Sequence, residues 1–91
     1  MQFSKEEVAE VVAMQRLINS GAAWKLEGSV GRQAMALLDA GLCILGRKGQ
    51  KDYWGNYVPS RKEVKNGTKG SVGYAAERQG EAWARKINRL K

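Results

Sequence analysis

The sequence predicts a small α+β domain, mainly helical with one β-hairpin, and three observations carry that class. Ser4 and Glu7 have the spacing of a capping box and stand before apolar residues at helical intervals. A second helical stretch begins at Ser29 and closes at Gly41. Two runs rich in β-formers, residues 42–45 and 53–58, flank a basic segment that contains glycine. With 91 residues there is room for one core of ordinary size, so residues 1–91 are read as a single domain.

The first helix is expected over residues 4–20. The Ser4 hydroxyl can satisfy a free amide of the first turn, Glu7 can reach back, and Phe3 can staple onto Val8. Val8, Val11, Val12 and Ile18 recur near helical spacing, with Met14 and Leu17 on the flanks, until Asn19-Ser20-Gly21 supplies a stop. Residues 22–28 suggest a short second helix that turns Trp24 and Leu26 toward the core and ends at Gly28. Ser29 would cap the third helix, which runs through Ala34, Met35, Leu37 and Leu38 to Gly41, so that 22–41 is organised like a helix-turn-helix. The hairpin is expected over 42–58 with its tip at 46–52, and Gly55-Asn56 in the second arm signals a bulge or a further turn. Pro59-Ser60, followed by Glu63, opens a short helix over 60–66 that Asn66-Gly67 stops. A last helix, 71–90, would gather Val72, Ala76, Trp83, Ile87 and Leu90 on one side and Arg78, Arg85 and Arg89 on the other.

Sixteen Lys and Arg against nine Asp and Glu give a net charge of +7, which favours polyanionic partners through long-range attraction. The absence of histidine removes the usual triads, a Cys-His pair and the commonest zinc sites, and the acids are scattered. A non-enzymatic binding protein without cofactor or metal is therefore expected. Cys43, the one cysteine, lies in an apolar run and fits a buried thiol in a reducing cytoplasm. No apolar stretch has the length needed to span a bilayer, and no membrane partner is expected.

The stretch from Ala23 through Trp24-Lys25-Leu26-Glu27-Gly28-Ser29-Val30-Gly31-Arg32-Gln33 to Ala40-Gly41-Leu42, followed by the basic segment from Arg47 to Lys51, resembles a winged helix-turn-helix. That resemblance implies DNA more than RNA as the ligand. Ser29, Arg32 and Gln33 would face bases from the recognition helix, while Arg47, Lys48 and Lys51 on the wing would hold phosphates. Gly28-Ser29-Val30-Gly31 also resembles the glycine loop of a KH domain, which clamps an RNA backbone. As a whole the chain is similar to small proteins of actinobacterial phages and prophages, through residues 24–32 and 52–61, which implies a phage protein in a bacterial cytoplasm and no site residues.

The cluster Tyr53-Trp54-Gly55-Asn56-Tyr57 fits two further uses. Exposed rings beside cations suit unpaired bases. Alternatively Trp54, Tyr57 and Trp83 would anchor a host or phage protein, and a homo-oligomer or a component of the assembled particle fits the same small basic domain.

Overall fold

Lys5–Ser20 forms α1 in the computed structural model, which describes residues 3–26 and 28–91. The capping box is complete: the Ser4 hydroxyl accepts from the Glu7 amide at 3.1 Å, and the Ser4 amide donates to the Glu7 carboxylate at 3.0 Å. Val11, Met14, Gln15 and Ile18 are the buried residues of this helix, so its inward stripe passes through Met14 and Gln15. Val8 and Val12 are only half-buried. The Phe3 ring lies 6.0 Å from that of Trp83, against the far end of the chain.

Ala22–Lys25, α2, is a single turn, and Ser29–Ala40 is α3. Gly28 occupies the N-cap of α3 and no side chain caps it, so Ser29 is the first helical residue and not the cap the sequence suggested. Gly41 closes α3, with its amide donating to the Leu37 and Leu38 carbonyls.

Residues 42–45 were expected to be a strand and are not one. They form an extended segment, with Cys43, Ile44 and Leu45 buried. The reason is that side chains and the backbone of a helix end and a loop, not a neighbouring strand, satisfy its backbone. The Gln15 amide donates to the Ile44 carbonyl at 2.9 Å and accepts from the Ile44 amide at 2.8 Å. Leu45 donates its amide to the Gly70 carbonyl and receives the Arg61 Nε at its own carbonyl. A buried backbone needs partners, but not partners of a particular kind. Burial pushes the Cys43 thiol up to about 12, which keeps it protonated and unreactive in the folded protein.

The hairpin is shorter and sits later than expected. β1, Gln50–Lys51, pairs antiparallel with β2, Tyr57–Val58, in the register Gln50 with Val58 and Lys51 with Tyr57. Its tip is 52–56, where Asp52 accepts from the amides of Trp54 and Asn56 and so folds the turn around its own carboxylate. The basic segment 46–49 is the approach to the hairpin. The tip itself is aromatic, unlike the basic wing implied by the helix-turn-helix resemblance.

No helix forms over 60–66. Glu63 makes only half of a capping box: its carboxylate accepts from the Ser60 amide at 2.7 Å and from the Tyr57 hydroxyl at 2.7 and 2.8 Å, while its own amide donates to the Ser60 carbonyl and not to the Ser60 hydroxyl. The expected final helix is two helices, α4 at Val72–Gln79 and α5 at Glu81–Arg89. Gly80 divides them with φ 93° and ψ 155°, a conformation open only to glycine, and α4 and α5 pack on one another. The arginine stripe is thereby broken: Arg78 stacks over Tyr74 on α4, while Arg85 pairs with Glu81 on α5.

The core is built from Ile18, Leu38, Ile44 and Ile87, contributed by α1, α3, the 42–45 segment and α5, with Ala23, Ala34, Ala75 and Ala84 permitting close approach. Among the described residues no helix is long and apolar enough to cross a membrane.

Candidate functional site: an aromatic-rimmed groove

The turn that Asp52 organises carries Tyr53 and Trp54 outward, with their rings 4.9 Å apart and nearly perpendicular. The Tyr53 amide donates to the Trp24 carbonyl at 2.6 Å, so the hairpin tip is moored to α2 by its backbone and the rings are left free. Between this hairpin and α2–α3 runs a groove of about 660 Å³, within the size range of ligand sites. Leu38, Leu45, Val58 and Val64 line it together with Ala23 and Trp24. Arg32 and Lys69 supply its cations and Asp52 its acid.

Among the described residues, five large apolar side chains are exposed: Leu26, Met35, Tyr53, Trp54 and Tyr57, and all five line this groove. Trp54 is the most open at 77%. Sequence reasoning turned Leu26 toward the core and read Met35 only as part of the third helix, so neither was expected at a surface site. Met35 lies three positions from Arg32 on α3, which puts both on the groove side of that helix.

Tyr57 is fixed at the rim by its hydroxyl. A Cβ at Gly49 would fall within the van der Waals radius of that oxygen, so only glycine lets the ring close over the approach to β1. The Glu63 carboxylate grips the hydroxyl from the other side. The Ser60 amide and the Tyr57 hydroxyl together hold Glu63 below its usual range, and Glu63 in turn raises Tyr57 above its own.

The residues expected to hold nucleic acid do not form one set. Arg32 lines the groove, while Ser29 and Gln33, one turn apart and both exposed, lie on α3 outside the groove lining. Arg47 is directed elsewhere: its guanidinium donates to the Asn88 and Leu90 carbonyls at the end of α5. Lys48 is exposed outside the groove lining, and Lys51 faces Tyr57 across the ribbon. Trp83 stands apart from Trp54 and Tyr57, half-buried, with its indole N–H donated to the Leu42 carbonyl at 2.9 Å.

A second cluster, which the sequence did not signal, lies at the α5 end. Arg61 is 6% exposed and donates to the Leu45 carbonyl, to the carbonyl and side-chain oxygen of Asn88, and to the side-chain oxygen of Asn19. Asn19 continues the network to Gln15 and to the Leu90 carbonyl. Burial and the neighbouring Arg47 lower Arg61 to about 10, still charged near neutral pH.

One family model matches the chain, that of a domain of unknown function, DUF7417, over residues 2–58. No curated protein matches it, and no solved structure does. The matched stretch runs from before α1 to the end of β2 and contains most of the groove lining, while Pro59, Val64 and Lys69 lie beyond it.

Proposed function

The chain belongs to the DUF7417 family, and we propose that it is a non-enzymatic docking domain whose groove takes apolar side chains of a protein partner. One observation carries the reading: among the described residues, the large apolar side chains that the fold leaves in water all border a single concavity. Such residues scattered singly need no explanation, but gathered around one groove they mark a contact surface. Aromatic rings at an otherwise solvated rim are the usual anchors of such contacts. The two tryptophans that line the groove, Trp24 and Trp54, make binding readable by fluorescence.

The test is selection of peptides from a random displayed library on the whole chain, followed by titration of the selected peptides. Trp54→Ala and Met35→Glu should abolish binding while circular dichroism stays unchanged. Peptides that bind these variants as well as the parent would overturn the reading.

A second reading is nucleic acid, DNA before RNA. The position of Tyr53, Trp54 and Tyr57 beside Arg32 and Lys51 supports a surface on which unpaired bases stack, more than a recognition helix with a basic wing. Titration with oligodeoxythymidylate at low salt tests it, and no quenching of tryptophan emission would end it. The setting proposed with either reading is the cytoplasm of a phage-infected bacterium. The lone buried thiol and the local likeness to phage and prophage proteins support it.

A further inference from the structure

We infer that the occupant of the groove is an acidic polypeptide segment, with apolar anchors flanked by Asp or Glu. The inference rests on the docking reading and goes beyond it by naming the partner's chemistry. The floor selects the anchors. Leu38, Leu45, Val58 and Val64 are aliphatic and less exposed than the rings, so they reward branched or aromatic side chains that reach inward. A flat base would stack on the rim alone.

The rim selects the charge. Arg32 on α3 and Lys69 on the 59–71 loop stand on different elements of the groove wall. Among the described residues, the acids nearby are already engaged. Asp52 accepts from two backbone amides of its own turn, Glu63 holds the Tyr57 hydroxyl and the Ser60 amide, and Asp39 pairs with Lys69 at 2.8 Å. Among the described residues no carboxylate lies within ion-pair distance of Arg32. The Asp39–Lys69 pair is solvent-exposed on both sides, and exposed pairs contribute little, so a partner carboxylate can replace Asp39 at small cost. The +7 charge of the chain adds attraction at longer range.

The experiment uses the same random peptide library on the whole chain and reads two properties of the winners. They should combine apolar residues with Asp or Glu. The affinity of a synthetic winner, followed by fluorescence polarisation, should fall about tenfold or more from low to high salt, and to a similar extent with Arg32→Glu or Lys69→Glu. Both are exposed positions, and circular dichroism of each variant verifies folding. Neutral or basic winners that need Trp54 but ignore salt and both charge reversals would overturn this inference and leave the docking reading standing. Winners indifferent to Trp54→Ala would overturn both. Groove-dependent binding of oligodeoxythymidylate, with no peptide enriched, would replace the polypeptide by nucleic acid.

Discussion

The two sides of the domain handle cationic and polar side chains in opposite ways. At the end of α5, Arg47 and Arg61 spend their guanidinium donors on carbonyls and amide oxygens from α5, α1 and the 42–45 segment. At the groove, Arg32 and the aromatic rim face solvent. Part of the positive charge is therefore internal scaffolding and part is surface. Net charge cannot tell these apart, because it counts an arginine in the same way whether it meets a carbonyl or water.

The comparison holds only if the α5 end is structural, and the largest expected effect tests that. Arg61→Ala strips donors from four oxygens at once, with bonds to a charged donor worth about 1.5–3 kcal/mol each and not additive. A loss of about 3 kcal/mol, measured as a shift of the urea midpoint, is expected. A loss below about 1 kcal/mol would mean the cluster is ornament.

Next in size is Gln15→Ala, which leaves the amide and carbonyl of Ile44 buried without partners. About 2 kcal/mol should be lost in the same measurement, with no change in groove binding.

The rim should respond more weakly. Gly49→Ala pushes the Tyr57 hydroxyl off its seat and opens the clasp with Glu63, with a smaller shift of the urea midpoint than Gln15→Ala. The two residues of this clasp titrate in opposite senses. Glu63 is lowered in the folded state, so its contribution is full above the unfolded carboxylate value and disappears as pH falls through the folded one. Tyr57 is raised, so its share is full below its unfolded value near 10 and is lost as pH rises further. Urea midpoints of the parent and of Glu63→Gln should accordingly converge in acid. A gap that persists at low pH would show that the carboxylate's charge plays no part.

The smallest effect on stability separates the two sides most sharply. Trp54→Ala should leave the urea midpoint within about 0.5 kcal/mol, as expected at a position 77% exposed, while removing groove binding. A Trp54 that proves costly to remove would belong to the fold, and the contrast between the two sides would collapse.

How far the sequence revealed this depends on the range of each interaction. The capping box at Ser4, the stop at Gly41 and the helical class depend on neighbours three or four residues apart, and they were legible. The 42–45 segment was read as a strand because its residue types favour one, yet its true partner is Gln15, 29 positions away from Ile44. The signal was present in weak form, since Gln15 lies on the inward side of α1 with Val11 and Ile18 and is the polar member of that stripe. The single helix expected over 71–90 passes through Gly80, where the chain in fact breaks, and the arginine wheel built across that position fails with it. The aromatic cluster 53–57 was recognised as a candidate. That it crowns a turn organised by Asp52, and that Leu26 and Met35 come to its side, depends on tertiary packing that no local pattern encodes.

Gln15 has a consequence for how the chain fails. Leu42, Cys43, Ile44 and Leu45 have the apolar, uncharged composition of segments that stack between molecules as intermolecular sheets. One carboxamide occupies both hydrogen-bonding positions of Ile44 where a foreign strand would dock. When α1 melts away, that cover leaves with it, so partially unfolded molecules should clump through 42–45 before the rest of the chain has unravelled.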